Sequence, residues 1–321
     1  MRAARQRLEE FLFRPGSDAW LGLLRIGVAL QVIFYCFSLR GDWDDLFALE
    51  RAGVIKRDLA EAILSAQSHY IPRFGWLVDF FASLGATEQT ALALVWWSLL
   101  GAAGLLLFGL CSREAAILAL FLHLCAVKSS SGLTYGVDNF TSIGLFYLMI
   151  APLPDRWAAD HWFRRVPGKH PQWQGFNRRI LQWHLCLIYF CSGITKCAGA
   201  GWWNGTSIWF ALTRPPFNFL SPEALIGWKN LFPILSISVC LLETGYPLFI
   251  WPRKTRAFWL LAVLLMHLSI GLAMGLYLFA FVMITLNVAA FGPDFAFHPA
   301  QRSNGRLFDR IKGIAFGRDP G

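Results

Sequence analysis

Charged side chains are scarce in this chain. Asp, Glu, Lys and Arg make up 15% of its 321 residues, where a water-soluble domain carries about 25%. That scarcity argues against a water-soluble globular enzyme. Acidic residues are fewer than basic ones, 20 against 29, for a formal net charge of +9. In a soluble protein this excess would suggest nucleic acid as a partner. Here the basic residues gather between apolar runs, as they do in cytoplasmic loops of membrane proteins, and no nucleic-acid partner is expected. Cysteine is sparse, at seven, and no CxxC spacing occurs. An odd set of thiols in or beside apolar segments predicts small core residues, with no metal site and no disulfide framework. No cleavable signal peptide, internal repeat or low-complexity tract is evident. Residues 1–19 read as a basic amphipathic, cytoplasmic lead-in.

What the chain has instead is apolar length. Hydrophobic residues make up 56% and aromatic residues 16%, and mean hydropathy is +0.46. The apolar runs approach the roughly 20 residues needed to cross a bilayer. They predict an all-α integral membrane protein over 20–292, a bundle of about eight transmembrane helices, followed by a basic cytoplasmic tail, 293–321. The spans fall at 20–38, 89–111, 115–127, 138–153, 180–199 and 231–251, with 257–291 split into two near Gly271 and Gly275. With both termini inside, 19 of the 29 Lys and Arg lie in inner segments and 8 in outer ones, with Arg25 and Lys196 within spans. That bias predicts N-in, C-in topology in a cell membrane, the inner membrane if the source is bacterial.

Ionisable residues at membrane depth are candidates for a functional site. Arg25 lies roughly 8 Å and Glu243 roughly 12 Å from the inner ends of their spans, counting 1.5 Å per residue. They are expected to pair, as a tie between helices or with a chemical role. Lys196, Asp138 with Asn139, and His267 fall nearer the outer half, where they would line one cavity. Each has a plainer reading: Lys196 reaching the interface, Asp138 capping a helix, His267 bonding a neighbouring helix. The pairs Trp96–Trp97 and Trp202–Trp203 look like interfacial belt residues. No acidic residue stands three or four positions from Lys196. Burial without a carboxylate favours a neutral amine able to act as a base. A carboxylate from another helix would cancel that.

The stretch "YFCSGITKCAGAGWWNGTSIWFAL" resembles the segment that carries the catalytic lysine of vitamin K-dependent gamma-glutamyl carboxylase: aromatic, Phe, any residue, small, Gly, two residues, Lys, then Trp and Gly. "LLMHLSIGLAMGLYLFAFVMITLN" and "DNFTSIGLFYLMIAPLPDRWAADHW" resemble later and intervening regions of the same enzyme. "LLRIGVALQVIFY" and "LLETGYPLFIWPRKTR" look like the bacterial branch, the horizontally transferred transmembrane (HTTM) family. The resemblance covers about residues 15–292. It implies a lyase-like membrane enzyme that uses a vitamin K-like quinol, with Lys196 as general base and His267 as a second catalytic residue. Asp138, Asn139, Tyr189, Trp202 and Trp203 would line the cavity. Asn139 stands where the carboxylase has a histidine, and no large lumenal domain follows 292. The expected partners are the lipid bilayer and a secreted peptide substrate or a soluble protein. A non-catalytic membrane module assisting maturation or export of a peptide is the alternative, and a small-molecule transporter a third.

Overall fold

The computed structural model describes residues 2–49, 57–130, 134–163 and 171–296, and among these it is all-helical. Its eight longest helices are numbered in chain order: α1 (Ala19–Ser38), α2 (Glu88–Phe108), α3 (Ser112–Ser129), α4 (Gly136–Ile150), α5 (Pro171–Ala198), α6 (Leu231–Phe249), α7 (Arg253–Met274) and α8 (Tyr277–Phe291). Every apolar run folds as a helix, and the long run at 257–291 breaks at Gly275, which adopts a left-handed φ of 69°. Four helices, α1, α2, α6 and α7, are long and apolar enough to cross a membrane. Shorter helices occupy the segments between, including Arg57–Gln67, Phe74–Ser83 and Thr206–Thr213. An N-terminal helix, Arg2–Leu12, leads to Phe13, which stacks on Phe176 of α5 at 4.8 Å.

Local sequence sets the helix ends. Thr87 caps α2 by accepting a hydrogen bond from the Thr90 amide, and Gly109 closes the helix in the left-handed conformation. The Asp138 carboxylate accepts the Tyr135 N–H at 3.0 Å at the start of α4. Pro152 and Pro154 follow its end, where a helix cannot continue.

The chain packs around α1 and α8. α1 lies against α2, α4 and α8; α8 in turn touches α4, α5 and α7; α5 packs along α6. Gly27 lets Thr285 of α8 come against the α1 backbone, filling the space a side chain would occupy.

One buried ion pair anchors the first half of the chain. Arg25 Nε donates to Asp155 Oδ2 at 2.6 Å, and both side chains are almost fully buried. Arg25 Nη1 also donates to the carbonyls of Leu106 and Leu107, at 2.6 and 2.8 Å. Both carbonyls lie in the last turn of α2, where intrahelical donors run out; that of Leu106 also accepts from the Gly109 amide. Five residues on, Asp160 accepts from the amides of Cys111 and Ser112, at 2.8 and 3.0 Å, at the start of α3. The loop after α4 thus joins α1, α2 and α3. The expected Arg25–Glu243 pair does not form. Asp155, in "APLPDRW", takes Arg25 because the prolines end α4 and turn the chain back beneath α1.

Removing one member of a buried pair leaves an uncompensated charge, at a cost of about 3–5 kcal/mol. Arg25→Met or Asp155→Leu alone should therefore lower thermal stability in detergent strongly. The double variant should recover much of the loss. Equal melting shifts for the single and double variants would contradict the pairing.

Candidate functional site

α5 and α6 run side by side in opposite directions, and Gly193 marks their closest approach. A Cβ at Gly193 would stand 2.5 Å from both the amide nitrogen and Oγ1 of Thr244, so no larger residue fits without parting the helices. The register follows from that contact. One turn further along α5, Lys196 Nζ meets Glu243 Oε2 at 2.5 Å. The same ammonium donates to Ser192 Oγ at 2.6 Å and sits 5.3 Å from the centre of the Trp202 ring. The Lys196 side chain is 21% exposed and that of Glu243 8%. Lys196 is therefore not an amine without a carboxylate: Glu243 is the acid from another helix that cancels the argument for a free base. At this degree of burial, desolvation offsets much of the attraction. The pair fixes where two charges stand more than it stabilises the fold.

The depth count misplaced Glu243 because α5 and α6 are staggered. Cys197, next to last in α5, lies level with Thr244 and Cys240 of α6. α6 runs on past that level for nine residues to Leu231, about 14 Å at 1.5 Å per residue. The segment with helices Ala200–Trp203 and Thr206–Thr213 covers this overhang. Depth counted from each helix end therefore does not compare across the two helices.

Beside this pair lies a buried chain of hydrogen bonds. The Tyr246 hydroxyl donates to Asn287 Oδ1 at 2.7 Å. Asn287 Nδ2 donates to the Met283 carbonyl and to the Tyr189 hydroxyl, each at 2.8 Å. The Tyr189 hydroxyl lies 2.7 Å from His267 Nε2. A carbonyl can only accept, so Met283 fixes the amide orientation of Asn287, which spends both Nδ2 protons. The Tyr189 oxygen accepts one of them, and the direction of its bond with His267 Nε2 follows the imidazole tautomer. His267 is 3% exposed, and Nδ1 has no hydrogen-bond partner among the described residues. His123 contrasts with it: its Nε2 faces the Asp138 carbonyl at 3.3 Å, so its Nδ1 is left as an acceptor. The two clusters act on one another, since Lys196 is within electrostatic reach of His267 and Glu243 of Tyr189.

The structure thus brings together Lys196, Trp202, Tyr189 and His267 from the expected set and adds Glu243, Ser192, Tyr246 and Asn287. It does not bring the others. Asp138 caps α4, and Asn139 is exposed. Trp203 is half-exposed and donates to the Cys197 carbonyl at 2.8 Å. Asn287 carried a legible signal, as an amide inside the apolar run "VMITLNVAAF". Tyr246 carried one too, a turn beyond Glu243. No group of three metal-ligating side chains occurs among the described residues.

The described residues are all-helical, and four of their helices are long and apolar enough to cross a membrane, which is the make-up of a membrane protein. No family model, curated protein or solved structure matches it.

Asn287→Ala would leave the Tyr189 network broken and two buried hydroxyl contacts unmade. At about 1–3 kcal/mol for each unsatisfied buried group, it should destabilise by about 3 kcal/mol. Tyr246→Phe, which removes one hydroxyl, should cost about 1 kcal/mol. Thermal unfolding in detergent ranks the two, and the reverse order would refute Asn287 as the hub of the network.

Proposed function

We propose that this chain is a multi-pass protein of about eight crossings with both ends inside, akin to the HTTM branch of the carboxylase-like membrane proteins. We propose further that the α5–α8 corner binds a lipid-soluble quinol and takes a proton from it. The observation that carries the reading is His267 Nδ1, a buried ring nitrogen without a hydrogen-bond partner among the described residues, oriented by Tyr189 and within reach of the Lys196 charge. It suits a ring oxygen of a ligand. Lys196 and Glu243 suit the second requirement, a fixed positive charge beside a proton acceptor.

The roles differ from those the sequence suggested. Glu243 takes up the hydroxyl proton, because it is the basic member of the pair. Lys196 stays protonated and stabilises the oxyanion that remains, a preorganised electrostatic role. His267 orients the ring through Nδ1. When bound, the quinol supplies reducing equivalents to whatever lipid or secreted peptide is modified. Glutamate carboxylation is not part of this proposal, because Asp138 and Asn139 do not join the site. A second reading is a non-catalytic membrane module. The engagement of Lys196 by Glu243, Ser192 and Trp202 favours it, since the ammonium then makes two hydrogen bonds within the chain and lies over an aromatic ring.

Binding and oxidation of a soluble quinol analogue by the purified protein separate the two. Loss of a general base costs about 10²–10⁴-fold in rate. Glu243→Gln should lower turnover by that much while binding persists, Lys196→Arg should retain more activity than Lys196→Ala, and His267→Phe should weaken binding. A folded wild-type protein that neither binds nor oxidises the analogue leaves only the module. For topology, cysteines introduced within 154–179 should be labelled from the inner side, and labelling from outside reverses the orientation.

A further inference from the structure

Two thiols face each other where α5 meets α6. Gly193 opposes Thr244. One turn on along α5 is Cys197, and one turn back along α6 is Cys240. Cys197 Sγ lies 3.7 Å from Thr244 Oγ1, and the antiparallel register set by Gly193 and Thr244 brings Cys240, one turn from Thr244, level with it. Both cysteines are free. The helix backbones touch one turn away at Gly193, and a disulfide needs a short Cα–Cα span of that kind. The two differ in access: Cys197 is half-buried in the last turn of α5, whereas Cys240 is buried. Lys196 and Glu243 both lie within electrostatic reach of Cys240. Of the remaining thiols, Cys36, Cys125 and Cys186 are buried, Cys111 is half-buried at the start of α3, and Cys191 is exposed.

We propose that Cys197 and Cys240 form a dithiol site that exchanges with a disulfide co-reactant and closes into a bond between α5 and α6. Cys197, the accessible member, loses its proton and attacks one sulfur of the disulfide. That S–S bond breaks, and the first thiolate leaves and is protonated. Cys240 then loses its proton and attacks the Cys197 sulfur of the mixed disulfide, expelling the second thiolate, which is protonated in turn. The two cysteines are oxidised by two electrons to one disulfide, and the co-reactant is reduced to two thiols. The closed bond ties α5 to α6 within one turn of the Lys196–Glu243 pair, so the positions of both charges become subject to redox state. This inference does not depend on the quinol reading.

The experiment uses the full-length, reduced protein in detergent, with oxidised glutathione as probe. The expected product is a protein lighter by two hydrogens with no retained glutathione, and peptide mapping under non-reducing conditions places the bond between Cys197 and Cys240. Cys240→Ser should instead trap glutathione on Cys197, since the resolving thiol is gone. Cys197→Ser should take up none at Cys240, and Cys191→Ser should still close the bond. Thermal unfolding before treatment verifies that each variant is folded. Folded wild-type protein that gains no 197–240 bond, or gains it only after denaturation, overturns the proposal. So does a Cys240→Ser variant that accumulates no more adduct on Cys197 than the wild type.

Discussion

The approach of two helix backbones at Gly193 governs what happens around it. Because α5 and α6 touch there, a lysine one turn away reaches a glutamate on the facing helix, and two cysteines come level. A larger residue at 193 would meet the Thr244 backbone, and the helices would have to separate or slide. Either movement would part Lys196 from Glu243. The local chemistry is therefore set by an absence of side chain, and the charges are held by steric contact more than by their own attraction.

The two buried ion pairs differ in kind. Arg25 has its guanidinium satisfied by a carboxylate and two carbonyls, all from the loop after α4 and the end of α2. That is a structural junction, in which one guanidinium ties the loop after α4 to the end of α2. Lys196 sits instead at a partly open edge, a fifth exposed, beside an imidazole with one nitrogen unengaged. A buried polar group without a partner costs free energy, and sites that retain one often do so to meet another molecule.

Much of this was legible in the residues. The helix positions followed from apolar runs and their proline and glycine borders, and the split of 257–291 fell at Gly275. Lys196 and His267 stood out as ionisable groups in hydrocarbon-like stretches. The partners did not. Lys196 has no acid three or four positions away on its own helix, and Glu243 lies 47 positions away on a helix shifted along the axis. Asp155 sits in a proline-rich loop outside any span, where depth along a span gives no sign of a partner for Arg25. Asp138 looked like either a cavity residue or a cap, and its bond to the Tyr135 amide shows the cap. Periodicity reports which face of a helix is apolar. It does not report the longitudinal offset between two helices, and that offset chose every pairing at the site.

The packing of α1 against α8 has a consequence for how the chain is made. α1 is translated well before α8 and yet rests on it, with Thr285 seated against Gly27. Until α8 has been translated, α1 lacks one of its walls. A chain that stops anywhere between residues 38 and 277 leaves that face of α1 uncovered by its partner.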